Sequence, residues 1–275
     1  MARLRRIAIA AAFPAILLAL VIHFGDRLFY YPSRAEYRSA GTYGVKVEEV
    51  TFAAPGGPKL AGFWMRAESP ARGAVVFCHG NAGNVTSHAS FVTWLPRRGF
   101  DVLVFDYRGY GRSEGRVTRE GTVADAIAAI DFTLARAPRR TVVFGHSLGG
   151  AVAIVAAAER PDVRAVAVEA AFPSYRKAAR AAFPLLAPIV PLAVSDGLDP
   201  EDVLARIPPR PLLVIHGSAD RTVPFRLGRE LFELASEPKR FHEVEGGDHE
   251  TARQAGGRKY ETAILEFFGS SLGGG

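Results

Sequence analysis

From Gly73 onward the chain alternates short apolar runs with helical patterns, and this alternation constrains the fold more than any other feature of the sequence. The central runs, such as VLVF and TVVFG, are apolar without a polar residue at every second position. Strands of that kind are covered on both faces, as they are in parallel sheets. The alternation therefore predicts an α/β fold, in which a mostly parallel sheet carries helices on both faces.

Eight runs are predicted as strands, and the first two form a hairpin because AAPGGPK between them is a turn signal. In chain order the runs are VKVEEVTF, LAGFWMR, GAVVFC, DVLVFDY, TVVFG, VRAVAVEA, PLLVIHG and KRFHEVEG. Helices are predicted around SHASFVTWLPRR, REGTVADAIAAIDFTLARA, LGGAVAIVAAAER, PFRLGRELFELAS and RKYETAILEFFG. With 275 residues, 48% of them hydrophobic, the chain is long enough for one main domain.

One segment, residues 173–198, interrupts the alternation between the sixth and seventh predicted strands. It is apolar and contains Pro184, Pro188 and Pro191, and it is longer than an ordinary connection. Long insertions of this kind are often lids. We therefore expect a short lid over a site at this point of the chain.

The N-terminus predicts a membrane anchor. Three arginines within the first six residues precede Ile7–Phe24, an uncharged run near the lower end of what spans a bilayer. A basic and then apolar start is typical of a cleaved signal peptide or of an uncleaved anchor. The bulky residues after the run favour the anchor, so we expect an anchor over residues 1–26, a juxtamembrane segment over 27–44 and the α/β domain over 45–270.

The same arginines predict the orientation of that anchor. Basic residues favour the cytoplasmic side, which places the domain on the non-cytoplasmic (periplasmic or extracellular) side. Arg27, Arg34 and Arg38, which follow the apolar run, oppose this orientation. The net charge of +6 comes from scattered arginines rather than from a concentrated basic face, which argues against nucleic-acid binding. A single cysteine, Cys78, excludes an intramolecular disulfide.

Ser147 stands at the centre of the predicted site. It lies in GHSLG, between a predicted strand and a predicted helix, where a G-x-S-x-G turn exposes a strained serine above the sheet. The alternative is a tight turn with an unused hydroxyl. Glycine and polar residues collect after five of the predicted strands, and ligands of parallel α/β sheets bind at those carboxyl ends. This clustering favours a nucleophile at Ser147.

A serine nucleophile needs a base and a group that orients the base. His249 follows the last predicted strand in a loop, EGGDHE, from which it can reach across the sheet. Asp220 follows the seventh strand and gives the order serine, acid, histidine along the chain. Glu169, at the end of the sixth strand, remains an alternative acid. His79 and His216 each precede a glycine at a strand end, where a structural hydrogen bond is expected.

The remaining predicted groups lie around the substrate carbonyl group that a serine nucleophile attacks. The N–H of Leu148, at the positive end of the helix, and the N–H of Asn81 are expected to form an oxyanion hole. Asn81 has a second interpretation, in which it only closes the glycine-rich turn. Tyr107 and Tyr110 are predicted either to line the substrate pocket or to be packing residues.

Five motifs together resemble the α/β-hydrolase superfamily: CHGNAGN, FDYRGYGRSEG, GHSLGG, HGSADRTVP and GGDHE. They are most similar to its Bem46-like branch, which includes membrane-anchored ABHD-type serine hydrolases. The resemblance runs from about Phe29 to Phe268 and implies an eight-stranded α/β-hydrolase fold. It also implies a triad of Ser147, Asp220 and His249, oxyanion donors at Asn81 and Leu148, and activity on acyl esters, lipids or thioesters.

Three functional hypotheses follow. The first is hydrolysis of acyl esters or thioesters through an acyl-enzyme, with no metal or organic cofactor and a small-molecule or lipid substrate. The second is a peptidase or amidase on the same scaffold, in which Glu169 is available for a substrate amino terminus. The third is a catalytically idle, membrane-tethered scaffold. A serine at position 147 disfavours relatives that use an aspartate nucleophile.

Overall fold

A computed structural model describes residues 25–53 and 56–273 of the chain. The apolar run of the predicted anchor, Ile7–Phe24, lies outside the described residues. Among the residues that are described, no helix combines the length and the apolar character needed to cross a membrane.

The fold is built on one eight-stranded sheet, as predicted. Its strands are β1 (Val47–Ala53), β2 (Lys59–Met65), β3 (Gly73–Cys78), β4 (Phe100–Phe105), β5 (Thr141–His146), β6 (Val166–Glu169), β7 (Leu212–Gly217) and β8 (Lys239–Val244). Their order across the sheet is β8-β7-β6-β5-β3-β4-β2-β1. The β1–β2 hairpin and the β2–β4 pair are antiparallel, and every other pair is parallel. The mostly parallel sheet is therefore confirmed.

Helices flank the sheet and connect its strands. They are α1 (Val85–His88), α2 (Arg119–Arg136), α3 (Leu148–Ala158), α4 (Tyr175–Ala182), α5 (Val190–Ala193), α6 (Pro200–Val203), α7 (Phe225–Leu234) and α8 (Ala252–Ser271). Short 3-10 segments lie at Gly25–Phe29, Ala40–Tyr43, Ala89–Phe91, Pro96–Arg98, Pro184–Leu186 and Leu204–Arg206. A two-residue parallel ladder joins Tyr31–Pro32 to Ala82–Gly83.

Two apolar clusters, one on each face, bury the sheet. In β3, Val76 packs with the cluster that contains α3, whereas its neighbours Val75 and Phe77 pack with the cluster that contains α8. All six residues of β3 are buried. A strand that is buried on both faces has no exposed position for a polar residue, which explains the unbroken apolar runs of the sequence.

The predicted helix over SHASFVTWLPRR is wrong in its extent. Only α1 is α-helical, and 3-10 turns at Ala89–Phe91 and Pro96–Arg98 follow it. Pro96 has no N–H with which to bond the carbonyl of Val92, and that carbonyl accepts instead from the N–H of Leu95. The chain therefore cannot continue as a regular helix through this stretch.

The predicted lid is a short cap made of α4, the 3-10 turn at Pro184–Leu186, and α5. Arg119, at the start of α2, fixes its far end through a buried ion pair with Asp199 and a hydrogen bond to the carbonyl of Ser195. The guanidinium of Arg119 also lies 3.8 Å from the ring centroid of Tyr175 in α4. These contacts join the lid to the main body at a buried position.

Candidate active site

Ser147 occupies a sharp turn between β5 and α3. Its backbone has φ 55° and ψ −123°, a region that residues with side chains rarely adopt. The two flanking glycines leave no space for a side chain. A Cβ on Gly145 would lie 2.3 Å from the Gly149 carbonyl oxygen, and one on Gly149 would lie 2.1 Å from the Cys78 carbonyl oxygen. The G-x-S-x-G pattern thus allows the close crossing that presents Ser147 above the sheet.

A chain of two hydrogen bonds links the three predicted triad residues. The Nε2 atom of His249 lies 3.0 Å from the Oγ of Ser147, and its Nδ1 atom lies 2.8 Å from Oδ2 of Asp220. Because a carboxylate only accepts, Nδ1 donates to Asp220 and Nε2 is left free to accept the serine proton. The structure therefore brings together side chains from loops after β5, β7 and β8 in an arrangement suited to proton transfer.

The carboxylate of Asp220 is held in its ionised form. Burial raises its pKa, but hydrogen bonds from His216 and His249 and from the Val223 amide outweigh that effect. The pKa of Asp220 consequently lies well below its usual range. Its second oxygen, Oδ1, accepts the backbone N–H groups of Thr222 and Val223, both at 2.9 Å. A fixed negative charge therefore faces Nδ1 of His249.

Two further histidines support the site without joining the hydrogen-bond chain. Nε2 of His146 donates to the carbonyl of His249 at 2.9 Å, and burial followed by the nearby His249 lowers the pKa of His146 to about 3. Nδ1 of His79 donates to the carbonyl of Gly80 at 2.7 Å, and burial lowers the pKa of His79 well below its usual value. Both rings are thus neutral, and each holds one loop of the site.

The two predicted oxyanion donors lie beside Ser147 in the wall of a cavity. Leu148 is the first residue of α3, so its N–H has no acceptor within that helix. The N–H of Asn81 belongs to the peptide whose carbonyl, on Gly80, is held by His79. In a trans peptide the N–H points away from the carbonyl, so His79 fixes the direction of the Asn81 N–H. Geometrically, both amides suit the predicted role.

Of the two interpretations of Tyr107 and Tyr110, the structure favours packing, since neither residue lines the cavities at Ser147. Both rings are fully buried. The hydroxyl of Tyr110 donates to the Asn81 carbonyl at 2.7 Å, and that of Tyr107 donates to the His79 carbonyl at 3.1 Å. The rings lie beneath the 79–81 loop and support it, in agreement with the packing interpretation.

Glu169, the alternative acid, makes a different contact. Its carboxyl accepts a short hydrogen bond from the hydroxyl of Tyr260, and only 3% of the residue is exposed. Burial raises the pKa of Glu169 to about 7. Asp220, not Glu169, bonds to His249, and Glu169 lines a separate cavity of about 270 Å³ whose lining does not include Ser147.

Replacement of Glu169 by Gln should change how stability depends on pH. The pKa of about 7 in the folded protein exceeds the ordinary value of 4.5. Ionisation therefore opposes folding, and the stability present below pH 4.5 is lost as the pH rises to about 7. The loss should amount to about 3 kcal/mol. Burial also raises the pKa of Asp106 to about 7, and that group acts equally in both proteins. The difference in unfolding free energy between parent and Glu169→Gln, measured with denaturant across this range, should therefore show the loss that belongs to Glu169.

Glu233, an exposed glutamate on α7, provides the control for this measurement. The Glu233→Gln variant should follow the pH dependence of the parent protein. A difference between parent and Glu169→Gln that stays constant from pH 4 to 8 would contradict the assignment of the buried ionisation to Glu169.

Two cavities, one strongly apolar and the other more polar, meet at Ser147. The apolar cavity, of about 330 Å³, is walled by the lid, by the segment before β1 and by loops of the site. Its lining is Gly25, Leu28, Phe29, Tyr31, Asn81, Ser147, Leu148, Phe172, Ala178, Ala179, Ala182, Phe183, Leu186, Ile189, Val190, Ala193, Val194, Thr222 and Val223. On the other side lies a wider polar cleft of about 670 Å³, whose lining includes His88, His146, Asp248, His249 and Glu250.

The segment before β1 supplies one wall of the apolar cavity. The ring of Phe29 meets that of Tyr175 edge-on at 5.0 Å, and Tyr30 is 7% exposed. Tyr31 donates its N–H to the Asn81 carbonyl. The aromatic residues that follow the apolar run therefore pack on the domain, and Tyr31 contacts the 79–81 loop.

Comparison with known proteins shows which family has this arrangement. The protein-family model Hydrolase_4, described as serine aminopeptidase S33, matches residues 69–205. YfhR of Escherichia coli O157:H7 is 35% identical over 268 residues, which cover 94% of this chain and 92% of YfhR. The α/β-hydrolase domain-containing protein WAV2 of Arabidopsis thaliana is 28% identical over 274 residues, covering 91% and 89% of the two chains. The chain belongs to the α/β-hydrolase superfamily.

Solved structures agree on the fold of this α/β-hydrolase. The esterase Pf2001 of Pyrococcus furiosus superposes with a TM-score of 0.72 at 20% identity, covering 88% of this chain and all of the esterase. At that level of identity the likeness concerns the fold. It establishes the α/β-hydrolase architecture that the motifs of the sequence implied.

Proposed function

We propose that this protein is a serine hydrolase that cleaves acyl esters or thioesters through an acyl-enzyme. One observation carries the proposal: the Ser147–His249–Asp220 hydrogen-bond chain opens directly onto an apolar cavity. Pf2001, which shares the fold, is an esterase, so the fold is compatible with this reaction.

In the first half of the reaction, the Oγ of Ser147 attacks the acyl carbonyl carbon while Nε2 of His249 takes the hydroxyl proton. The negative carbonyl oxygen accepts hydrogen bonds from the N–H groups of Asn81 and Leu148, and a donor in this position contributes about 3 kcal/mol in other hydrolases. The bond to the leaving group then breaks. The proton on Nε2 passes to the departing alkoxide or thiolate, which leaves as an alcohol or a thiol.

In the second half, water takes the place of the leaving group. His249 removes one of its protons as the oxygen attacks the acyl carbonyl, and the same amides stabilise the second oxyanion. Collapse releases the carboxylic acid and returns the proton to Ser147. Throughout both halves, Asp220 holds His249 in the tautomer that can accept at Nε2.

The two cavities indicate how the substrate lies. The acyl chain occupies the apolar cavity, and the alcohol or thiol part occupies the polar cleft. A peptidase that reads a free amino terminus needs a carboxylate near the acyl site. Within the described part of the chain, no aspartate or glutamate lines the apolar cavity. This favours the ester hypothesis over the aminopeptidase that the name of the family model suggests.

The membrane anchor is part of the same proposal. The apolar run Ile7–Phe24 leads directly into Gly25, which lies in the wall of the apolar cavity. We propose that this run tethers the domain to a membrane, with the domain on the non-cytoplasmic side.

Filling the apolar cavity should shorten the preferred acyl chain. Ala178 in α4 lines the cavity, so the Ala178→Phe variant places a ring in the acyl site. We expect kcat/KM for long-chain p-nitrophenyl esters to fall roughly tenfold or more, since each excluded methylene forfeits about 0.8 kcal/mol of burial. Hydrolysis of the acetate ester should be nearly unchanged. A chain-length series measures both.

The matched control is Ala181→Phe, on the same helix but outside the cavity lining. It should leave the chain-length profile of the parent protein intact. The same panel should include aminoacyl amides, which we expect to be poor substrates. Faster turnover of aminoacyl amides than of acyl esters would overturn the ester assignment in favour of the peptidase.

A further inference from the structure

Large apolar side chains are exposed in one region of the surface. Eight of them are at least 45% exposed among the described residues. Six of the eight lie either within residues 25–31 or in the lid, and the other two are Tyr37 and Leu234. We call these six the lid patch: Leu28, Tyr31, Phe183, Leu185, Leu186 and Leu192. Concentrated exposure of this kind marks a site of interaction, because water opposes it without a compensating contact.

The lid patch surrounds the opening of the apolar cavity. Leu28 and Tyr31 line that cavity from one side, and Phe183 and Leu186 line it from the other. Leu185, between the last two residues, is 95% exposed and lies outside the cavity lining. An apolar rim therefore continues from the inside of the cavity to the outer surface of the protein.

The N-terminal run is joined to the same region. Gly25 lies so close to α5 that a Cβ on it would be 1.8 Å from the carbonyl oxygen of Ala193. The carboxylate of Asp26 accepts the N–H of Ser195, just after the lid. The 24 residues that precede Gly25, with their 18-residue apolar stretch, consequently connect to the domain beside the lid patch.

Basic side chains at the edge of the lid patch complement an anionic surface. Arg27 is exposed immediately before Leu28, and Arg180 is exposed one helical turn before Phe183. Basic side chains beside an apolar surface are attracted to the phospholipids of negatively charged bilayers. The partner that matches the exposed apolar area, the nearby N-terminal run and the basic side chains is a negatively charged lipid surface.

We propose that the lid patch docks on the surface of a phospholipid bilayer, so that the cavity receives its acyl chain from the lipid phase. The docking rests on the patch and the tether, and the entry of an acyl chain rests in addition on the proposed hydrolase function. Docking turns the cavity opening toward the membrane. An acyl chain then passes from bilayer to cavity without crossing water.

A fluorescent probe tests the docking without reference to catalysis. Burial raises the pKa of Cys78, the single cysteine, to about 12, and its side chain has no exposed surface. A cysteine introduced by Leu185→Cys or Leu192→Cys in the full chain therefore takes a thiol-reactive NBD probe selectively. The matched control is Leu234→Cys, since Leu234 is 48% exposed but lies at the end of α7.

With the full chain in vesicles of phosphatidylcholine and phosphatidylglycerol, probes at positions 185 and 192 should shift to the blue and be quenched by doxyl-labelled lipid. The probe at position 234 should show neither change. Blue-shifted emission without quenching by lipid would mean that protein, such as residues 1–24, covers the patch, and it would overturn the proposal. Emission equal to that of the control would also overturn it.

A second measurement tests substrate entry. The Leu185→Gln/Leu192→Gln variant should hydrolyse a long-chain ester held in the vesicles roughly tenfold more slowly, since two leucines lose their insertion into lipid. Turnover of soluble p-nitrophenyl acetate should be unchanged, and Leu234→Gln should resemble the parent. Equal rates on the vesicle-borne ester would overturn lipid-phase entry. If the parent protein hydrolysed neither ester, the proposed function would be contradicted. The fluorescence experiment would then still test whether the lid patch docks on the bilayer.

Discussion

The Ser147→Ala variant should lose labelling by a fluorophosphonate probe and nearly all esterase activity. In the parent protein, Oγ of Ser147 is 3.0 Å from Nε2 of His249, the proposed base, and probe attached at Ser147 should be recovered on its peptide. Alanine offers no nucleophile, and removal of the serine in comparable enzymes lowers kcat by roughly 10⁴- to 10⁶-fold. Peptide mapping after labelling, together with turnover of p-nitrophenyl esters, measures both effects.

The control for this variant is Ser270→Ala, at a serine of α8 whose hydroxyl bonds only to its own helix at the Phe267 carbonyl. It should label and turn over substrate like the parent protein. Full esterase activity in Ser147→Ala would exclude the proposed mechanism. A folded parent protein that takes no label would favour the idle-scaffold hypothesis.

Much of the candidate site follows from the sequence because of how parallel strands are arranged. The carboxyl ends of β5, β7 and β8 meet at one edge of the sheet, so residues far apart in sequence converge there. Ser147 and His249 are 102 positions apart, yet the glycine pattern and the position of each loop after a strand suffice to pair them. Asp220 could be ranked above Glu169 by chain order, but only the structure shows which carboxylate reaches Nδ1.

Other features depend on contacts that no local pattern specifies. The close approach of Gly25 to Ala193 makes the segment before β1 a wall of the cavity, and a glycine alone does not predict its neighbour. The ion pair of Arg119 with Asp199 joins residues 80 positions apart and fixes the lid. The sequence leaves Tyr110 as either a pocket residue or a packing residue, and only the structure shows that its hydroxyl donates to the Asn81 carbonyl. Such roles are decided by tertiary packing.

Asp220→Asn should be the most informative of the variants that keep the shape of the site. Oδ1 of Asp220 accepts two backbone N–H groups, from Thr222 and Val223, so the asparagine oxygen must take that place. Its NH₂ group then faces Nδ1 of His249, where Oδ2 accepted before. A donor at that position forces the proton of His249 onto Nε2. The histidine then points a proton at Ser147 and cannot accept one.

We therefore expect kcat of Asp220→Asn on acyl esters to fall by roughly 10⁴-fold, equivalent to about 5 kcal/mol of transition-state stabilisation. The neighbouring Asp248→Asn variant is the control. Asp248 is exposed and accepts only the backbone N–H groups of Arg221 and His249, so a carboxamide oxygen can replace it with a loss of a few-fold at most. Unfolding of Asp220→Asn by denaturant should remain cooperative. Equal losses in the two variants would mean that negative charge near His249, rather than its tautomer, is what Asp220 supplies.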